Sequence, residues 1–212
     1  MIRSDDLQYH GLILYQDTAL PCFSEDAVLL ARFLTLTPRD TVADLGAGNG
    51  VISILGAGIT GASFTCIERQ EALCALARRS IAENGQEIAV HQMDVSDAPS
   101  SLGHGTFTAA VMNPPYFAAG DQSPLASRAA ARHDEGHEAL EAFLGAAFLL
   151  LKNGGRLFCC YPASDAVTLF CALRRHRLEP KRLRPAAPSR DGKPRRLLVM
   201  AKKDGGPGLV WD

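Results

Sequence analysis

The sequence predicts an α/β domain with a mostly parallel sheet and helices on both faces. From Thr41 onward, short runs rich in β-branched and aromatic residues alternate with helical stretches, as in parallel sheets with crossover helices. The 212 residues, 47% hydrophobic and 21% charged, suffice for one core and leave little room for a second. Two late β-rich runs flank a loop containing proline and glycine, as in a hairpin. We expect residues 1–212 to form one domain with a seven-stranded sheet and a C-terminal β-hairpin.

Local patterns place each element of this fold. The predicted strands are Thr41–Leu45, Ser63–Ile67, Ile88–Gln92, Phe107–Met112, Arg156–Tyr161, Lys181–Arg184 and Arg196–Ala201. The predicted helices are Gln70–Glu83, Ala139–Leu151 and Asp165–Arg175, the second of them ended by Asn153-Gly154-Gly155.

Charge is distributed unevenly, although the formal net charge is only −1. Residues 1–173 hold 10 Lys and Arg against 19 Asp and Glu, a balance of −9, whereas residues 174–203 hold 12 against 2, a balance of +10. A basic region on an acidic body indicates a polyanionic partner. The candidate phosphate contacts are Arg182, Arg184, Lys193 and Arg195, and the alternative is ordinary surface charge on a solvated hairpin.

Several classes of protein are excluded by local composition. The first residues, MIRSDDLQYHG, are acidic where a secretory signal is basic, and no apolar segment approaches the roughly 20 residues of a membrane-spanning helix. The six cysteines form no CxxC pair, which favours buried thiols in a reducing compartment over disulfides or a zinc site. The sequence from His133 to His137 lacks the glutamate of a metalloprotease helix at its second position. We expect a cytoplasmic monomer without a metal.

A glycine-rich turn follows the first predicted strand. Asp44 precedes Gly46, Gly48 and Gly50, which stand at alternate positions. Glycine lets the backbone turn sharply and approach a ligand without a Cβ in the way, and a plain strand-to-helix turn is the alternative. A second pattern, Gly56–Gly61, spells the dinucleotide motif but is followed by a strand, which disfavours a nicotinamide site.

Two acidic residues stand at the ends of the next two strands. Glu68 ends the second strand, where a carboxylate can accept hydrogen bonds from both hydroxyls of a ribose. Asp94 follows the third strand, where it or its neighbours can face an adenine ring. Either acid alone is more often a solvated strand-end residue, but together they favour an adenosine ligand.

The most specific motif, Asn113-Pro114-Pro115-Tyr116-Phe117, follows the fourth strand. The prolines make a rigid turn whose carbonyls can accept hydrogen bonds. The Asn113 side-chain oxygen and the Pro114 carbonyl can hold both hydrogens of a conjugated amino group and direct its lone pair toward an electrophilic methyl, without a general base. Tyr116 and Phe117 offer aromatic faces to a planar base. The alternative is a rigid turn with its aromatic rings packed in the core.

These motifs resemble a known family. Asp44–Gly50, Glu68, Asp94 and Asn113–Tyr116 are similar in order and spacing to class I S-adenosylmethionine-dependent methyltransferases that modify exocyclic amines. A narrower resemblance, to the bacterial tRNA1(Val) adenine-N6 methyltransferases, is carried by Asp5-Asp6, Cys22–Ala31, Ala131-Arg132-His133 and Leu178–Arg184.

The resemblance implies a Rossmann-like class I methyltransferase in which residues 1–40 contribute to the cofactor and substrate pocket and residues 174–203 form a basic hairpin region. It implies S-adenosyl-L-methionine as the cofactor, with contacts from Phe23, Asp44, Gly46, Gly48, Gly50, Glu68, Asp94 and Asn113. It implies tRNA as the partner, with substrate contacts from Tyr116, Phe117, Arg132 and His133 in addition to the hairpin.

The sequence therefore predicts methyl transfer to the N6 amine of an adenine in tRNA, the adenine beside the anticodon of tRNA1(Val). The base would leave its stack to reach a catalytic turn formed by Asn113, Pro114, Pro115 and Tyr116. Two alternatives stay open: methylation of the N5 amide nitrogen of a protein glutamine, and a catalytically silent RNA-binding protein of the same fold.

Overall fold

The described residues form a central sheet of eight strands. The computed structural model describes residues 1–20, 22–114, 126–188 and 191–212, and for residues 126–136 and 187 only the backbone. The strands are β1 (Ile2–Asp6), β2 (Ile13–Asp17), β3 (Thr41–Leu45), β4 (Ser63–Glu68), β5 (Ala89–Gln92), β6 (Phe107–Met112), β7 (Leu151–Pro162), β8 (Leu178–Pro188), β9 (Pro194–Lys203) and β10 (Val210–Trp211). The helices are α1 (Glu25–Phe33), α2 (Val51–Thr60), α3 (Glu71–Glu83), α4 (Ala98–Leu102), α5 (Ala126–Leu150) and α6 (Ala166–Arg175), with short 3₁₀ turns at Val95–Asp97 and Ala163–Asp165.

The strand order in the central sheet is β10-β8-β9-β7-β6-β3-β4-β5. Among the described strands of this sheet, only β9 runs antiparallel to both of its neighbours, β7 and β8. Strands β1 and β2 form a separate antiparallel hairpin. The predicted α/β class, with a mostly parallel sheet and a C-terminal hairpin, is confirmed.

Each face of the sheet carries its own apolar core, because successive strand residues point to opposite faces. Leu45 and Ile67 pack in the cluster that includes Leu144 of α5. Val42 and Phe158 pack in the opposite cluster, which is formed with α1, α2 and α3. Both faces are thus covered, as an all-buried parallel sheet requires.

The predicted elements match the structure best in the centre of the sheet. Thr41–Leu45 and Phe107–Met112 have the predicted bounds, and the other predicted strands are present with ends shifted or extended. Helix α5 ends at Leu150, and the Asn153-Gly154-Gly155 sequence lies inside β7 instead of forming a separate stop. The structure adds β10 to the seven predicted strands and adds the β1–β2 hairpin, neither of which was expected.

Four of the six cysteines, Cys66, Cys74, Cys159 and Cys160, are buried, and all six are free thiols. Cys22 and Cys171 are exposed. Among the described residues, no helix combines the length and the apolar character that crossing a bilayer requires. The same part of the chain holds no group of three or more His, Cys, Asp or Glu side chains placed to bind a metal ion.

Candidate functional site

The glycine turn and the Asn113 turn begin side by side at the carboxyl edge of the sheet. Leu45 pairs in register with Ile67 on one side and with Met112 on the other. Gly46 and Asn113 each follow directly, and neighbouring strands lie about 4.8 Å apart. The chain continues from β3 to β4 on one side, whereas β6 lies on the other side of β3. This is the point of reversed strand order at which open α/β sheets bind ligands.

The three glycines of the turn have different neighbours. All adopt positive φ, at +68° for Gly46, +59° for Gly48 and +84° for Gly50. A Cβ on Gly46 would lie 2.9 Å from Cζ of Phe143, and one on Gly50 would lie 3.3 Å from Cβ of Ala77. A Cβ on Gly48 would meet no atom of the described residues within 4 Å. A Cβ would therefore be crowded at the two outer positions, whereas Gly48 faces space that the described residues leave open to a ligand.

The glycines of the second pattern, Gly56–Gly61, allow close packing of α2. Gly56 lies within α2, and Gly61 caps its C-terminal end. A Cβ on Gly56 would come within 2.5 Å of Cζ of Phe64, and one on Gly58 within 2.9 Å of Cδ1 of Leu12. These glycines let α2 lie close to the sheet and to the N-terminal segment, which agrees with the rejection of a dinucleotide site.

Glu68 lies beside the open face of Gly48. Its side chain is buried, with the residue 6% exposed. Oε2 accepts a hydrogen bond from the Gly48 backbone at 3.0 Å, and Oε1 accepts one from the Gln70 backbone at 2.8 Å. Each carboxylate oxygen retains a further lone pair for a hydroxyl group. The carboxylate is therefore held in place before any ligand arrives.

Asp44 lies beneath the turn and is completely buried. The Ser53 hydroxyl donates to Oδ2 at 2.7 Å, whereas Oδ1 is buried without a hydrogen-bond partner in the described part of the chain. Burial raises the pKa of Asp44 to about 7. Ser53 was not identified from the sequence as a partner of Asp44, although a hydroxyl group in the otherwise apolar helix α2 was the available signal.

Asp94 adjoins the end of β4. The Met93 backbone donates to the carbonyl of Glu68 at 3.0 Å, which brings the chain before Asp94 to this edge. Asp94 is exposed and starts the 3₁₀ turn, where its Oδ1 accepts hydrogen bonds from the backbone and hydroxyl of Ser96 at 3.0 and 2.7 Å. These bonds lower the pKa of Asp94 below its usual range, so the side chain is an anion at neutral pH.

The Asn113–Phe117 motif is only partly described. Asn113 is half-buried and Pro114 is buried at the end of β6. Pro115, Tyr116 and Phe117 lie outside the described residues, as do the side chains of Arg132 and His133.

The segment that enters α1 also lies at the carboxyl edge. Phe23 is half-buried against the α1–α2 core, and its backbone donates to Oε1 of Gln16 at 2.9 Å. Asp26, the second residue of α1, forms an ion pair through Oδ2 with Nε of Arg196 at 2.8 Å. Arg196 stands opposite Pro162, the last residue of β7. The geometry thus brings the start of α1 together with β9 at the carboxyl end of β7.

The predicted phosphate contacts differ in their surroundings. Lys193 and Arg195 are exposed at the tip of the β8–β9 hairpin, which extends past the carboxyl edge. Arg184 is half exposed and pairs with Asp212 at 3.3 Å.

Arg182 is held against the protein surface. It pairs through Nε with Oδ2 of Asp212 at 2.8 Å, donates to the Phe33 carbonyl at 2.6 Å and lies 4.0 Å above the Phe33 ring. These contacts fasten β8 to α1. Its assignment as a phosphate contact stays a prediction, and the geometry favours the hairpin tip for that role.

Two curated proteins resemble this chain in sequence and one solved structure resembles it in fold, and the matches cover different fractions of each protein. The tRNA1(Val) (adenine(37)-N6)-methyltransferase of Shewanella sp. (strain W3-18-1) is 32% identical over 115 residues, 53% of this chain and 48% of that protein. Its Parabacteroides distasonis counterpart is 26% identical over 194 residues, 91% of this chain and 81% of that protein. The chain thus spans about half the length of the first relative in the match. A crystal structure of a predicted O-methyltransferase from Agrobacterium tumefaciens superimposes with a TM-score of 0.69 at 25% identity, covering 88% of this chain and 84% of that one.

The family model named methyltransferase small domain matches residues 23–164. That range begins at Phe23, includes the glycine turn and the Asn113 turn, and ends just beyond β7. It covers more than half of the chain and agrees with the Rossmann-like fold described above. The chain belongs to the methyltransferase small domain family.

Proposed function

We propose that the protein transfers a methyl group from S-adenosyl-L-methionine to the N6 amine of an adenine in tRNA, the adenine beside the anticodon of tRNA1(Val). The observation that carries this proposal is that Gly46 and Asn113 directly follow two adjacent strands, each one residue past the paired Leu45 and Met112. The names of the curated relatives support the substrate. We further propose that the chain acts as one domain and as a cytoplasmic monomer.

The residues of the glycine turn fit the cofactor. Gly48 leaves open the space that a Cβ would fill, and the fixed Glu68 carboxylate beside it suits the two ribose hydroxyls. Beneath the same turn, Asp44 offers a buried oxygen that has no hydrogen-bond partner among the described residues. The backbone N–H groups at the start of α2 favour a carboxylate. When bound, the cofactor supplies an electrophilic methyl group on a sulfonium.

Asn113 and Pro114 would hold the amine of the target base. An exocyclic amine is planar and a poor nucleophile because its lone pair is conjugated with the ring. Two oxygen acceptors that bind its hydrogens orient the nitrogen and stabilise the positive charge that develops on it. The proton leaves the methylated nitrogen readily, so the chain needs no dedicated base. Tyr116 and Phe117 would stack on the base.

The hairpin tip would bind the RNA backbone. Lys193 and Arg195 lie at the edge of the sheet that carries the two turns. Cations there can bind phosphates that flank a nucleotide whose base enters the site. Arg132 and His133 are proposed for the loop over that nucleotide.

The same turn would also suit the amide of a glutamine side chain, which is the second candidate substrate. Transfer of labelled methyl from S-adenosyl-L-methionine to unmodified tRNA and to protein, measured in parallel, separates the two. We expect label in the RNA fraction. Label in protein alone contradicts the tRNA proposal, and RNA binding without cofactor binding by calorimetry would indicate a silent RNA-binding protein.

A further inference from the structure

We propose that Gln16 is a positioning residue that fixes the Phe23 segment, defined as Cys22–Ser24, at the mouth of the cofactor site. The proposal rests on the proposed function, because it assigns this segment to the cofactor pocket. Gln16 lies in β2, outside the range matched by the family model.

Gln16 connects two parts of the chain through one buried amide. The residue is 2% exposed. Its Oε1 accepts the backbone hydrogen bond of Phe23 at 2.9 Å, and its Nε2 donates to Oδ2 of Asp5. These partners fix the orientation of the amide, because the reverse orientation would set its NH₂ group against the Phe23 N–H and its oxygen against the Asp5 carboxylate. A buried amide with such partners is held in one position.

The hairpin that carries Gln16 is itself fastened to α3. The Asn84 amide accepts from the Ile13 backbone at 2.8 Å and donates back to the Ile13 carbonyl at 2.7 Å. The Ser80 hydroxyl accepts from the Tyr15 backbone at 2.9 Å. Side chains of α3 thus take the place of a third strand beside β2. Gln16 therefore lies on a strand that hydrogen bonds hold in place.

The other end of the Phe23 segment is also fixed. Asp26 and Arg196 join the start of α1 to β9, beside the carboxyl end of β7. The segment is consequently held at Phe23 by Gln16 and, two residues beyond Ser24, by the Asp26–Arg196 pair at the carboxyl end of β7. Loss of the Gln16 contact leaves the Phe23 N–H without its acceptor and releases the N-terminal side of the Phe23 segment. A ligand must then order the segment when it binds, which weakens its affinity.

An exchange of polarity between Gln16 and Asp5 tests this role. Gln16→Glu keeps an acceptor for Phe23 but places two carboxylates together, whereas Asp5→Asn alone retains an acceptor for Gln16. In the double variant, the new asparagine can donate to the new glutamate and so restore the pair. By calorimetry at pH 8, we expect S-adenosylhomocysteine to bind Gln16→Glu about tenfold more weakly than wild type, and the double variant to return within about twofold. Gln16→Leu, which removes both bonds without adding charge, serves if Gln16→Glu does not fold.

Thr108→Val is the matched control for loss of stability. It removes a hydrogen bond from Thr108 to Asp40 at 2.7 Å, at the opposite edge of the sheet. We expect it to lower the melting temperature without changing cofactor affinity. Unchanged affinity in both Gln16 variants, or an affinity loss that Thr108→Val reproduces, overturns the positioning role. A wild-type protein that binds no S-adenosylhomocysteine overturns the proposed function itself, and the positioning role with it.

Discussion

Gly48 and Glu68 are joined by a hydrogen bond of 3.0 Å from the glycine backbone nitrogen to Oε2 of the carboxylate. The bond ties the turn after β3 to the end of β4. The same carboxylate accepts from Gln70, at the start of α3. The acid and the glycine therefore form one preorganised unit, and a ligand that binds there meets a surface already in place.

Substitution of Gly48 by alanine tests whether this surface is the cofactor site. In the part of the chain that the structure describes, the new Cβ meets no atom within 4 Å, so the cost to the fold is the strain of a positive φ, about 1 kcal/mol. The same Cβ projects into the space assigned to the cofactor. We expect Gly48→Ala to weaken S-adenosyl-L-methionine binding at least tenfold by calorimetry.

Gly105→Ala provides the control for backbone strain. Gly105 has a φ of +62° and open space around its Cβ position, but it precedes β6 at the opposite edge of the sheet. The two variants should lose similar stability in thermal unfolding, and only Gly48→Ala should lose cofactor affinity. Equal affinities would place the cofactor away from the glycine turn.

Asn113→Ala separates chemistry from cofactor binding. The side-chain oxygen is assigned to the amine of the target base, whose reaction loses orientation and charge stabilisation without it. We expect the methylation rate to fall by about 10²-fold or more, with the affinity for S-adenosyl-L-methionine within about threefold of wild type. A rate and an affinity that fall together would instead indicate that Asn113 maintains the shape of the site.

Asp44→Asn should change how stability varies with pH. Burial raises the Asp44 pKa from 3.8 to about 7, so between these values the folded protein keeps a proton that the unfolded chain releases. The free energy of unfolding of the wild type therefore loses this contribution as pH rises from about 4 to about 7. Asparagine does not titrate, so the melting temperature of Asp44→Asn relative to wild type should increase across that interval. A difference independent of pH contradicts the assignment.

The hairpin arginines and lysines should fall into two groups. Lys193→Ala and Arg195→Ala should each weaken tRNA binding and lower the slope of log affinity against log salt by about 1. Arg182→Ala should chiefly lower the melting temperature, because it removes the bond to the Phe33 carbonyl and the pair with Asp212. Fluorescence anisotropy with tRNA at several salt concentrations measures the first effect. If Arg182→Ala lowers the salt slope without loss of stability, Arg182 binds phosphate and its assigned role in stability is wrong.

The centre of the fold was predictable because its signals are local. Thr41–Leu45 and Phe107–Met112 are short apolar runs bounded by turns, and parallel strands bring the residues after them to one edge. By that rule, the glycine turn, Glu68 and Asn113, which each end or follow a predicted strand, belong to the same edge of the sheet. The β1–β2 hairpin was not predictable in this way. Its first strand is polar and mostly exposed, and β2 depends on side chains of α3 that lie far away in sequence.

The surroundings of single site residues were also beyond local patterns. Gln16 and Ser53 act through contacts with Phe23 and Asp44, and an isolated polar residue in a strand or helix does not indicate its partner. For the same reason, the basic composition of residues 174–203 did not distinguish Arg182, packed on Phe33, from the exposed side chains of the hairpin tip.

Mass spectrometry of nucleosides tests the central claim most directly. Unmodified tRNA is incubated with the wild-type protein and S-adenosyl-L-methionine, digested, and compared with a reaction that contains Asn113→Ala. We predict N6-methyladenosine in the wild-type reaction alone, and fragment analysis should place it beside the anticodon of tRNA1(Val). A methyl group on any other nucleoside, or none at all from a protein that binds the cofactor, would contradict the account.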